Sequence, residues 1–82
     1  MYSVVVKVRP GSQREVGEAI REKQVNGFYP RILAVEVRPP RIVRLTLEDA
    51  PLEEILEAMK RLQKNLGVRD IFIGSFSVEA PE

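Results

Sequence analysis

The chain alternates between two hydrophobic periods. In YSVVVKVR, residues 2 to 9, apolar side chains recur at every second position, so Tyr2, Val4, Val6 and Val8 share one face of a predicted strand. RILAVEV sets Leu33, Val35 and Val37 on one face, and RIVRLTL does the same for Val43, Leu45 and Leu47. DIFIGSFSV, residues 70 to 78, reads as a fourth strand in which Phe72, Phe76 and Val78 agree. Between these lie two stretches of helical spacing. Val16, Ala19, Ile20 and Lys23 form a short stripe, and Leu52, Ile55, Leu56, Met59, Leu62 and Leu66 form a long one.

Boundary residues agree with that division. Pro10-Gly11 stops the first strand, and Ser12 to Glu15 has the S-x-x-E spacing of a capping box opening the first helix. Asn26-Gly27 ends it. Pro51 suits the first turn of the second helix, Glu53 and Glu54 suit its positive pole, Glu57 and Arg61 are spaced as an i,i+4 pair, and Gly67 is the expected C-terminal cap. The four residues Arg38-Pro39-Pro40-Arg41 are too few for a crossover, so the strands they join must be antiparallel neighbours. Proline donates no amide and fixes its own φ, so the pair ends the ladder and stiffens the corner. The order strand, helix, strand, strand, helix, strand predicts an α+β, ferredoxin-like βαββαβ fold. It has one four-stranded antiparallel sheet in the order 4-1-3-2 and two helices on one face.

Composition narrows the chemistry. Eighty-two residues make one domain, 1-82, too small for a separate catalytic lobe. With no cysteine and no histidine there is no thiolate, no imidazole base and no zinc or haem ligand set, and no cofactor is expected. Ser3, Ser12, Ser75 and Ser77 have no histidine to activate them. The carboxylates fall mostly on exposed helix positions, so no catalytic residues are assigned. No run approaches the roughly 20 apolar residues of a membrane span, which predicts a soluble, cytoplasmic protein. Charged residues make up 30% of the chain, a composition that suits a thermophilic source.

Net charge is only +1, but it is unevenly placed. Residues 1 to 14 carry Lys7, Arg9 and Arg14 without an acid, whereas Glu48, Asp49, Glu53, Glu54 and Glu57 follow one another without a base. The topology gathers Arg9, Arg38, Arg41 and Arg69 at one end, beside the free amides of Gly11, Ser12 and Gln13. That end is a candidate anion site, because guanidinium forks and a helix N-terminus both favour phosphate or carboxylate.

Period two also assigns the sheet face away from the helices. It holds Val5, Lys7, Ile32, Ala34, Glu36, Ile42, Arg44, Thr46, Ile71 and Ile73. Six of these are aliphatic, enough to expect a cover. The expected interface, formed by Val5, Ile32, Ala34, Ile42, Arg44, Ile71 and Ile73, makes a homodimer or homotetramer through the sheet face. An RNA-recognition domain of this topology places aromatic rings where Val5 and Arg44 stand, so base stacking on nucleic acid is not expected.

The residues MYSVVVKV, GEAIREKQVNGF, VEVRPPRIVRLTLE and MKRLQKNLGVRDIF together resemble PurS, the small subunit of phosphoribosylformylglycinamidine synthase, over nearly the whole chain. In that family Asp-Pro-x-Gly stands where this chain has residues 13 to 17, and a hairpin glycine stands where it has Pro40. The resemblance implies a non-catalytic, oligomeric subunit that bridges larger synthetase and glutaminase subunits in purine biosynthesis. Arg38, Arg41, Met59 and Asn65 would then have interface or structural roles. PGSQREVGEAI with GVRDIFIGSFSVEAPE is similar to the polymerase-binding N-terminal domain of NusG-type elongation factors. The overall pattern also resembles the amino-acid-binding domain of Lrp/AsnC regulators, a sheet-face dimer.

Overall fold

The computed structural model describes residues 1–25, 27–68, 71 and 73–79, with Gln24 and Val25 described by their backbone alone. The elements are β1 (Tyr2–Val8), α1 (Gln13–Val25), β2 (Ile32–Arg38), β3 (Ile42–Leu47), α2 (Leu52–Val68) and β4 (Ile73–Glu79). All pairings are antiparallel, and the sheet order is β2-β3-β1-β4, as the sequence pattern requires. Arg69, Phe72 and the terminal Ala80-Pro81-Glu82, all of which carry sequence expectations, lie outside the described residues, as does Asn26. Among the described residues no helix is long and apolar enough to cross a membrane.

One core holds the molecule together. Val16, Ala19 and Ile20 of α1 and Ile55, Ala58, Met59, Leu62 and Leu66 of α2 are buried in the same cluster as Val4, Val6, Val8, Val43, Leu45 and Leu47, so both helices cover one sheet face. The 3.6-residue stripe of α2 accounts for its placement, since every buried position of that helix lies on one side. Burial of polar or charged side chains is absent among the described residues.

Two β-bulges change which residues reach that core. Ile32 pairs with Leu47 while Ala34 pairs with Thr46, so Leu33 is an extra residue in β2. Likewise Val8 pairs with Ile73 while Lys7 pairs with Ser75, which makes Gly74 the extra residue in β4. Directly opposed residues share a face, so each bulge reverses the alternation on one side of itself. Ile32 and Ile73 therefore face the helices and are buried, while Leu33, expected in the core, is exposed. Ile71, just before β4, is buried as well, its N–H donating to the Leu66 carbonyl at 2.9 Å. Placing Ile32, Ile71 and Ile73 on the open face is thus corrected.

Helix ends follow local chemistry with some revisions. Gly27 has φ 81°, and the N–H of Phe28 reaches the Lys23 carbonyl at 3.2 Å, the six-to-one bond of a glycine-capped helix. Gly67 is not a cap, because α2 continues through it to Val68. At the start of α1, the Ser12 hydroxyl donates back to the Arg9 carbonyl at 2.8 Å and so fastens the turn to β1, in place of the expected exchange with Glu15. Gly17 packs tightly on β2: a Cβ there would sit 2.6 Å from Cγ2 of Val37.

Candidate functional site

The basic end is a tied corner. The Gly11 N–H donates to the Pro40 carbonyl at 2.9 Å, the Ser12 N–H to the Arg9 carbonyl at 3.0 Å, and the Val8 N–H to the Arg41 carbonyl at 2.9 Å. Two of the amides expected to await an anion are therefore spent on holding the β2–β3 corner and the β1–α1 turn together. Arg38 is also engaged, its Nε donating to Glu36 Oε1 at 3.0 Å. The topology does gather Arg9, Gly11, Ser12, Arg38 and Arg41, since these bonds link their loops. Within that gathering the Gly11 and Ser12 amides and the Arg38 Nε already have partners in the chain. Beside this corner an open groove of about 440 Å³ runs between α1 and β2, lined by Gln13, Arg14, Glu18, Arg21, Val37 and Pro39.

The open sheet face is more polar than the uninterrupted alternation implies. Strand register sets Glu36, Arg44, Val5 and Ser77 in one row, Ala34, Thr46, Ser3 and Glu79 in a second, and Arg38, Ile42, Lys7 and Ser75 in a third. Of the seven residues expected there, Val5, Ala34, Ile42 and Arg44 remain. Val5 and Ile42 are half-buried and Ala34 is exposed. Arg44 reaches across β1 to Glu79 on β4, Nη2 to Oε2 at 2.9 Å, and Arg38 pairs with Glu36 along β2. Four charged side chains on this face are thus engaged with one another.

A third feature was not legible as a site. The loop before β2 is clasped to α2: the Tyr29 hydroxyl donates to Glu54 Oε2 at 3.1 Å, and Arg61 Nη2 donates to the Tyr29 carbonyl at 2.8 Å. The Arg61 guanidinium also stands 5.4 Å from the centroid of the Phe28 ring, within cation–π range. Arg61 thereby turns to the loop instead of to Glu57. The bond to the Glu54 carboxylate, reinforced by its charge, raises the Tyr29 phenol above its ordinary 10.0. Shallow hollows of about 310 and 300 Å³ on either side share Tyr29 and Arg61. The only sequence signal was an aromatic pair, Phe28-Tyr29, between a helix-ending glycine and Pro30.

The three places thus hold ion pairs, an arginine clasp and half-exposed aliphatics. Comparison with protein-family models, with curated proteins and with solved structures finds no match for this chain.

Proposed function

We propose that this chain is a small, non-catalytic assembly subunit whose work is done through contacts with other protein chains, in the manner of a PurS-like bridging subunit of phosphoribosylformylglycinamidine synthase. The observation that carries the reading is the uncovered sheet face, where Val5 and Ile42 stand half-buried amid paired charges and small side chains. The sequence supplies no histidine or cysteine with which to do chemistry of its own, which agrees with such a role.

The two bulges limit what that contact can be. With Ile32 and Ile73 turned inward, the described residues of the face offer too few aliphatics for an obligate hydrophobic seam. Covering Arg44–Glu79 and Arg38–Glu36 would desolvate ion pairs, a cost that a dry interface meets only with excellent geometry. A hydrated, polar contact of moderate area fits better.

Co-purification from the native host tests the proposal. An ATP-dependent amidotransferase retained by the wild-type chain and lost with Val5→Glu is the expected result. Recovery of RNA polymerase would support the elongation-factor reading, and thermal stabilisation by amino acids the regulator reading; either overturns the bridging role.

A further inference from the structure

The two edges of the sheet differ in kind. On β2, Arg21 reaches from α1 to donate to the Val35 carbonyl at 3.2 Å, Glu36 and Arg38 stand charged along the strand, and the Leu33 bulge interrupts it. These are the devices that keep edge strands from pairing. On β4 the bulge at Gly74 and the bond from Gln63 to the Ile73 carbonyl, 3.2 Å, both lie at the start of the strand. Beyond them Ser75 to Val78 carries no charge and no proline, and every second residue turns its N–H and C=O away from β1.

Helix α2 continues that edge upward. Leu56, two turns before Gln63, and Leu52, three turns before it, share the side of the helix from which Gln63 reaches the Ile73 carbonyl of β4. They are 38% and 49% exposed although they belong to the apolar stripe. The helix runs antiparallel to β4, with Gln63 over Ile73. With the extra residue Gly74 adding no ladder step, from Ile73 to Ser77 is about 10 Å at roughly 3.3 Å per step, and about 10 Å of helix is about seven residues. Leu56 is therefore the helix position above Ser77.

We infer that the β4 edge pairs with the β4 edge of a second copy of this chain, antiparallel and centred near Ser77, joining two sheets into one. A two-fold axis there sets Ser77 against its own counterpart, Phe76 against Val78 and Ser75 against Glu79 of the other copy, with no like charges opposed. It brings the two Leu56 side chains together above the seam. Glu53, one turn before Leu56, then faces Lys60 of the other copy, one turn after, and the contact repeats by symmetry. The charge pattern of α2 is thus complementary to itself in this orientation. The inference does not depend on the open sheet face and leaves it available to another partner.

Sedimentation equilibrium of the full chain is expected to give a dimer. Leu56→Lys places like charges at the axis and weakens dimerisation about tenfold or more, with the circular dichroism spectrum unchanged. Glu53→Lys also weakens it, and Glu53→Lys with Lys60→Glu restores it, a rescue that loss of folding cannot imitate. A wild-type monomer at millimolar concentration overturns the inference, whether or not the chain co-purifies with other proteins. So does a dimer that survives Leu56→Lys but dissociates with Val5→Glu.

Discussion

Ile32 of β2 stands directly opposite Leu47 of β3, and both are fully buried, although Ala34 two residues on stands opposite the half-exposed Thr46. The extra residue between them, Leu33, turns outward. Ile32→Ala should therefore cost about 2–5 kcal/mol of stability, the range for emptying a core site, whereas Leu33→Ala should cost under about 1 kcal/mol. Chemical denaturation of both variants decides the matter; equal losses would mean that the bulge is misplaced.

Gly17 is held against Val37 more tightly than any Cβ allows. Gly17→Ala gains about 1 kcal/mol of helix propensity but forces α1 away from β2, and overpacking of this kind costs about 1–3 kcal/mol. A net loss is expected. Val37→Ala opens the space that the new methyl needs, so the double variant should be more stable than the sum of the two single effects predicts. The thermodynamic cycle from urea unfolding reads that coupling directly.

The phenol of Tyr29 donates to Glu54, and its pKa is raised. A raised folded-state pKa means that the folded chain holds the proton more tightly than the unfolded chain. The stability from this contact is fully present below the ordinary 10.0 and is lost as pH rises through the higher folded-state value. With Tyr2→Phe leaving one tyrosine, phenolate absorbance should titrate above 10.0 and fall back toward it in Glu54→Gln.

Because the Gly11 and Ser12 amides are already bonded to carbonyls, phosphate should not stabilise the chain beyond the effect of matched ionic strength. Thermal unfolding in phosphate and in chloride at equal ionic strength is expected to give the same midpoint. A specific upward shift with phosphate would restore the basic end as an anion site.

The order of elements, the antiparallel pairing and the buried stripe of α2 were legible in the sequence, because a helix or strand announces itself through a period that is wholly local. Ser12, Gly27 and the proline pair marked boundaries for the same reason. Sheet faces were legible only as far as the alternation ran unbroken, through Val4, Val6, Val43 and Leu45. At Leu33 and Gly74 it breaks, and a bulge is defined by register against a neighbouring strand, which no stretch of one strand encodes. Tertiary structure alone decided that Ile32 and Ile73 lie inside, that Arg61 clasps Tyr29 instead of pairing with Glu57, and that the amides at Gly11 and Ser12 meet carbonyls. Each outcome is a competition among partners distant in the chain, and it is settled by which of them the packed helices and sheet bring within bonding distance.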